Sequence, residues 1–131
     1  MTHILIVDDQ PELAYLMAEL LTDAGYDTRT AENGHAALAD VQVNPPDLLL
    51  LDVNMPELDG FEVAAMLKSD PATATIPIIM VSANEGRGSR LIGLESGAED
   101  YMSKPVDPAE LIAKIRNLLL LRERATHAAL H

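Results

Sequence analysis

The chain has 131 residues, and 21 Asp and Glu against 9 Lys and Arg leave a formal net charge of −12. With 48% hydrophobic and 23% charged residues, the composition is that of one globular domain, so the acidity does not signal disorder. Three lysines and four aromatic residues, Tyr15, Tyr26, Phe61 and Tyr101, are too few for a basic phosphate-binding stripe or a base-stacking platform, which argues against direct nucleic-acid binding. The absence of cysteine removes disulfides, thiolate metal sites and cysteine nucleophiles together. No stretch approaches the roughly 20 apolar residues of a membrane span. Asp8 and Asp9 interrupt the N-terminus before a signal-like apolar core forms, so the expected compartment is the cytoplasm.

In chain order, residues 4–7 form a short apolar run, and Leu13, Leu16, Met17, Leu20 and Leu21 follow at the spacing of one helix face. Pro11 can open that helix and Gly25 can close it. A weak strand near residues 26–30 precedes a helix with Asn33 as its N-cap and Ala37, Leu38 and Val41 inward; Asn44, Pro45 and Pro46 stop it. Residues 48–51 and 76–81 are apolar runs without alternation, which suits strands covered on both faces. Between them, Asp59 or Gly60 starts a helix carrying Phe61, Ala64, Ala65 and Leu67 that exits at Asp70 and Pro71. A fifth strand is predicted around Tyr101 and Met102. The last helix opens at Asp107, with Pro108 at its first position and Glu110 three residues after the cap, and buries Leu111, Ile112, Ile115, Leu118 and Leu119. Five strand-then-helix units imply a parallel α/β sheet with helices on both faces and right-handed crossovers.

In such a sheet, ligands bind beyond the carboxyl ends of the strands. Asp8 and Asp9 follow the first strand, Asp52 ends the third, Ser82 ends the fourth and Lys104 follows the fifth, so all five polar residues fall on one edge. Singly, each reads as a loop, a cap or surface charge. Jointly they demand an explanation, because two carboxylates about 4 Å apart repel by about 4 kcal/mol at an effective dielectric near 20. Converging carboxylates take up a cation or protons. Mg²⁺ is the economical choice, since it binds through one or two carboxylates and keeps positions for water and phosphate oxygen; Mn²⁺ is the alternative ion.

The pair Asp8-Asp9, the segment Asp52-Val53-Asn54-Met55-Pro56-Glu57-Leu58-Asp59-Gly60, the pair Ser82-Ala83, and Gly97-Ala98-Glu99-Asp100-Tyr101 with Lys104-Pro105 resemble a response-regulator receiver domain. The match runs in order through nearly the whole chain. The resemblance implies a flavodoxin-like (βα)5 fold with a doubly wound parallel sheet of strand order 2-1-3-4-5. It implies that Asp52 is the phosphoacceptor and that Asp9, Asp52 and the backbone carbonyl of Asn54 hold Mg²⁺ directly, with Asp8 acting through a bound water. Lys104 and the Ser82 hydroxyl would take phosphoryl oxygens, matching the charge that phosphoryl transfer spreads over three equatorial oxygens. The Lys104-Pro105 bond is cis in the family.

The resemblance also implies a switch in which Ser82 turns toward the phosphoryl group and Tyr101 moves inward behind it. Gly86, Gly88 and Gly93 then make the helix around residues 89–95 the expected movable element, because an interior helix glycine costs about 1 kcal/mol relative to Ala. Asn54 and Asn84 line the path of hydrolytic water in the family, and neither offers a general base, so slow loss of the phosphoryl group is expected. The domain is placed at residues 1–119. Residues 120–131 extend the last helix as a link to an output domain or as a seam between two copies, since Leu118, Leu121, Ala125 and Ala128 are spaced 3, 4 and 3.

Expected partners are a histidine kinase or a histidine phosphotransfer protein as donor, with an output target on the face of the helix after strand four, the fifth strand and the last helix. Three rivals stand beside this reading. A haloacid-dehalogenase-type phosphatase needs a second Asp at position 54, where this chain has Asn54. A flavodoxin-type module needs a glycine- and hydroxyl-rich loop where this chain has Asp8-Asp9-Gln10-Pro11-Glu12. The third is a receiver that works as an interaction module without being phosphorylated.

Overall fold

The computed structural model describes residues 2–83, 91–92 and 95–129, with side chains through residue 125. Five parallel strands lie in the order β2-β1-β3-β4-β5: β1 (His3–Val7), β2 (Asp27–Ala31), β3 (Leu48–Asp52), β4 (Ile78–Ser82) and β5 (Asp100–Ser103). Helices α1 (Pro11–Asp23), α2 (Gly34–Val43), α3 (Gly60–Ser69) and α4 (Pro108–Ala129) accompany them. Asn84 and most of the glycine-rich segment after β4 lie outside the described residues.

The unalternating apolar runs are explained by two cores, one on each face of the sheet. Leu5, Val7, Leu49, Leu51, Ile78 and Met80 enter one, with Ala37, Val63 and Leu67 of α2 and α3. Ile4, Ile6, Leu48, Leu50, Ile79 and Val81 enter the other, with Leu21 of α1 and Leu111 and Ile115 of α4. Successive strand residues point to opposite faces, so a sheet covered twice needs an apolar residue at every position.

Three expectations about the elements are corrected. On α1, Met17, Leu20 and Leu21 of the expected stripe meet the core together with Ala14 and Ala18, whereas Leu16 is 57% exposed. The small alanines let the helix lie close to the sheet. On α3, Val63 is buried and Ala65 is exposed. The strand predicted over residues 76–81 begins at Ile78. Pro77 has no N–H to give a ladder, and Ile76 instead closes a turn by donating to Thr73 O at 3.1 Å. The remaining caps follow the sequence: Asn33 Oδ1 accepts from Ala36 N at 2.7 Å, and Gly25 takes φ +100° after α1.

Candidate functional site

Strand register brings the site residues to one level. Val7 pairs with Leu51, so Asp8 stands beside Asp52; Asp52 pairs with Val81, so Ser82 is one step further along β4. Ser82 pairs with Ser103, and Lys104 N donates to Ser82 O at 2.8 Å, which places Lys104 across the end of the sheet. The Lys104-Pro105 peptide is cis.

Carboxylate oxygens of Asp8, Asp9 and Asp52 all lie within 4.8 Å of one another. Lys104 Nζ stands 3.2 Å from Asp52 Oδ1 and 3.8 Å from Asp8 Oδ2. Asn54 N donates to Asp52 Oδ1 at 3.3 Å, and Gln10 N donates to Asp8 Oδ1 at 2.9 Å. Asp52 is only 4% exposed. Burial pushes its carboxyl above the ordinary range, Lys104 pulls it back, and Asp8 pushes it up again. The cluster therefore carries more negative charge than one lysine neutralises. All of its donors are hard carboxylate oxygens, which fits Mg²⁺ or Mn²⁺ and not a soft metal.

Glycine is required at position 60 for a reason the sequence does not announce. A Cβ there would stand 2.5 Å from Asp52 O and 2.8 Å from Val53 Cα, so only Gly lets the start of α3 press against the end of β3. Gly60 N donates to Val53 O at 3.0 Å. The helix start is locked by a reciprocal cap, Glu62 N to Asp59 Oδ1 at 2.9 Å and Asp59 N to Glu62 Oε1 at 3.2 Å. The Asp-x-x-Glu spacing could have revealed that cap. Glu57, in the same loop, has φ 67°.

Ser82 is fully buried, and its hydroxyl donates to Asn54 Oδ1 at 3.3 Å. Tyr101, expected to move inward, is already inward in this structure, 4% exposed in the core on the α2–α3 face. Beside Asp52 a cavity of about 500 Å³ opens between α1 and the segment after β5. Leu13, Leu16, Met17, Pro105 and Val106 line it, and of these the sequence pattern connects only Pro105 with the site.

Fold and site together define a doubly wound module with an acidic, lysine-flanked pocket at the switch point of its sheet. Comparison with known proteins agrees. The profile of the response regulator receiver domain matches residues 4–116. The response regulator PleD of Caulobacter vibrioides is 46% identical over 116 residues, covering 88% of this chain and 26% of PleD. The DNA-binding dual master transcriptional regulator RpaA of Synechocystis is 40% identical over 131 residues, covering 100% of this chain and 54% of RpaA. The chemotaxis protein CheY4 of Vibrio cholerae superposes with a TM-score of 0.84 at 30% identity, covering 90% of this chain and 98% of that one.

The chain belongs to the response regulator receiver domain family. It is a receiver domain of two-component signalling, a phosphoacceptor module of a family that pairs with histidine kinases and generally binds Mg²⁺. It spans about a quarter to about half the length of these two curated relatives.

Proposed function

We propose that Asp52 accepts a phosphoryl group from a phosphohistidine on a histidine kinase or histidine phosphotransfer protein. The observation that supports this reading best is the convergence of Asp8, Asp9 and Asp52 with Lys104 Nζ 3.2 Å from Asp52 Oδ1. In the transfer, a carboxylate oxygen of Asp52 bonds to phosphorus while the bond from phosphorus to the imidazole nitrogen breaks, and the imidazole leaves with the electron pair. Lys104 neutralises charge on a phosphoryl oxygen, and Ser82 donates its hydroxyl to another. Asp9, Asp52 and the Asn54 carbonyl would hold Mg²⁺, with Asp8 acting through water; the ion supplies neutralisation of the negative charge gathered there.

The donor approaches over the apolar cavity beside Asp52. Leu16 of α1 lines that cavity and is 57% exposed, and its neighbour Tyr15 is 63% exposed, which leaves an apolar surface beside the site. Return to the resting state proceeds by slow attack of water, since Asn54 and Asn84 are amides and supply no base. The module works in the cytoplasm. Among the described residues no helix is long and apolar enough to cross a membrane.

Residues 1–119 form the receiver. Residues 120–131 carry the helix onward toward an output unit or a second copy. RpaA is named as DNA-binding and is covered to 54% by this chain, and the acidity of this segment suits signalling to an output unit rather than contact with nucleic acid.

The test is incubation with Mg²⁺ and acetyl phosphate followed by intact mass. One phosphoryl adduct is expected on the native chain and none on Asp52→Asn or in excess chelator. An equal adduct on Asp52→Asn overturns the assignment.

A further inference from the structure

We propose that the Asn54 side chain is a positioning residue that holds the Ser82 hydroxyl away from Asp52 until a phosphoryl group arrives. The proposal rests on the reading of Asp52 as phosphoacceptor and adds the element that opposes the switch.

Asn54 touches both partners of the switch. Its backbone N–H donates to Asp52 Oδ1 at 3.3 Å, while its side-chain Oδ1 accepts from Ser82 Oγ at 3.3 Å. Its position is set by the sheet and not by the loop alone, because the preceding residue donates from Val53 N to Val81 O at 2.9 Å, next to Ser82 on β4. Ser82 is anchored too, since its carbonyl accepts from Lys104 N at 2.8 Å.

A hydroxyl has one proton to give. While Ser82 donates it to Asn54, that proton is withheld from any oxygen built on Asp52. The distance of 3.3 Å is long for a bond between two oxygens, so the hold is weak. A weak hold is what a reversible latch requires: a charged phosphoryl oxygen is a stronger acceptor than a neutral amide and takes the proton from it. The latch therefore biases the resting state without blocking the switched one. Asn54 is exposed, so its side chain can be exchanged with little effect on the core.

Breaking a weak net hydrogen bond, at the low end of the ordinary range, corresponds to a factor of about two to three in an equilibrium. The test is a cycle of four chains, native, Asn54→Ala, Ser82→Ala and the double variant, each titrated with beryllofluoride in Mg²⁺ and followed by amide shifts. Any direct contact of Asn54 with the bound group appears equally with and without the Ser82 hydroxyl. The latch appears only when Ser82 is present. Asn54→Ala should favour binding about two- to threefold more in the native background than in the Ser82→Ala background, and Ser82→Thr should restore that excess.

In the unliganded protein, Asn54→Ala should also move the Ser82 and Lys104 amide peaks toward their bound positions. This second readout needs no Ser82 variant to fold. Equal effects of Asn54→Ala in both backgrounds, or stationary peaks, overturn the latch while leaving the phosphoacceptor reading intact. A native chain that binds no beryllofluoride overturns both.

Discussion

The two ends of the sheet are both rich in charge, and they use it in opposite ways. Among the described residues, four carboxylates meet four cations at the amino ends of the strands: Asp40 with Arg29 at 2.9 Å, Asp47 with Arg122 at 3.7 Å, Glu99 with Lys68 at 2.5 Å and Asp100 with Lys114 at 3.0 Å. At the carboxyl ends, Asp8, Asp9 and Asp52 share Lys104. The paired end ties helices to strands. The unbalanced end keeps an excess of negative charge that a cation or a proton relieves.

The contrast can be broken most sharply at Lys68. Its Nζ donates to Ala74 O at 3.1 Å, to Ile76 O at 2.8 Å and to Glu99, so one side chain joins α3, the turn before β4 and the segment before β5. Lys68→Met removes all three bonds and leaves Glu99 facing Ile78 N alone. The loss should be about 2–3 kcal/mol by urea denaturation, because unpaired acceptors are left half-buried. A loss below about 0.5 kcal/mol would show that this end contributes no more than ordinary surface pairs do.

At the other end the sign reverses. The folded chain holds the Asp52 proton to higher pH than the unfolded chain, because burial raises that carboxyl from its ordinary 3.8. Unfolding within that window releases the proton, so this group's contribution falls as pH rises through it and its cost is fully present at neutral pH. Asp52→Asn in chelator at pH 7 should therefore raise the melting temperature of the fold. The gain should vanish as pH drops below the ordinary Asp value. A lower melting temperature for Asp52→Asn at pH 7 would mean that Lys104 already balances the cluster.

The smallest effect belongs to Arg122. Its Nη1 donates to Asp47 O at 2.7 Å, and Asp47 in turn accepts from His3 N through Oδ2 at 2.8 Å. The pair is about 35% and 47% exposed, so Arg122→Ala should cost only about 0.5–1 kcal/mol. It should also raise amide exchange in α4 beyond Leu119, and unchanged exchange there would show that the helix holds without this contact.

Much of the carboxyl end is legible in the sequence, and little of the amino end is. Strand ends are marked by the change from apolar runs to Asp8, Asp52 and Ser82, and parallel strands put those changes on one edge. The amino-end pairs carry no local signal: Arg122 and Asp47 are 75 residues apart, and Lys68 and Glu99 are 31 apart. Helix faces are legible only where large residues decide them. On α2, Ala37, Leu38 and Val41 all meet the core as read, whereas on α1 Ala14 and Ala18 join Met17, Leu20 and Leu21 in the contact and Leu16 is turned outward toward the cavity beside Asp52. Apolar periodicity alone does not separate a side chain that packs inside from one that waits at a site.

The loop between β3 and α3 carries one more consequence. Val53 O accepts from both Met55 N and Gly60 N, at 3.1 and 3.0 Å, so residues 53–60 form a ring closed by backbone alone. Its closure depends on the missing Cβ at Gly60, while Met55, 8% exposed, and Leu58 anchor the middle of the ring in the core on the α2–α3 face. The ring therefore offers exposed positions at Asn54, Pro56 and Glu57 on a fixed frame, so what faces solvent beside the acidic pocket can be retuned at those positions while β3 and α3 stay in register around it.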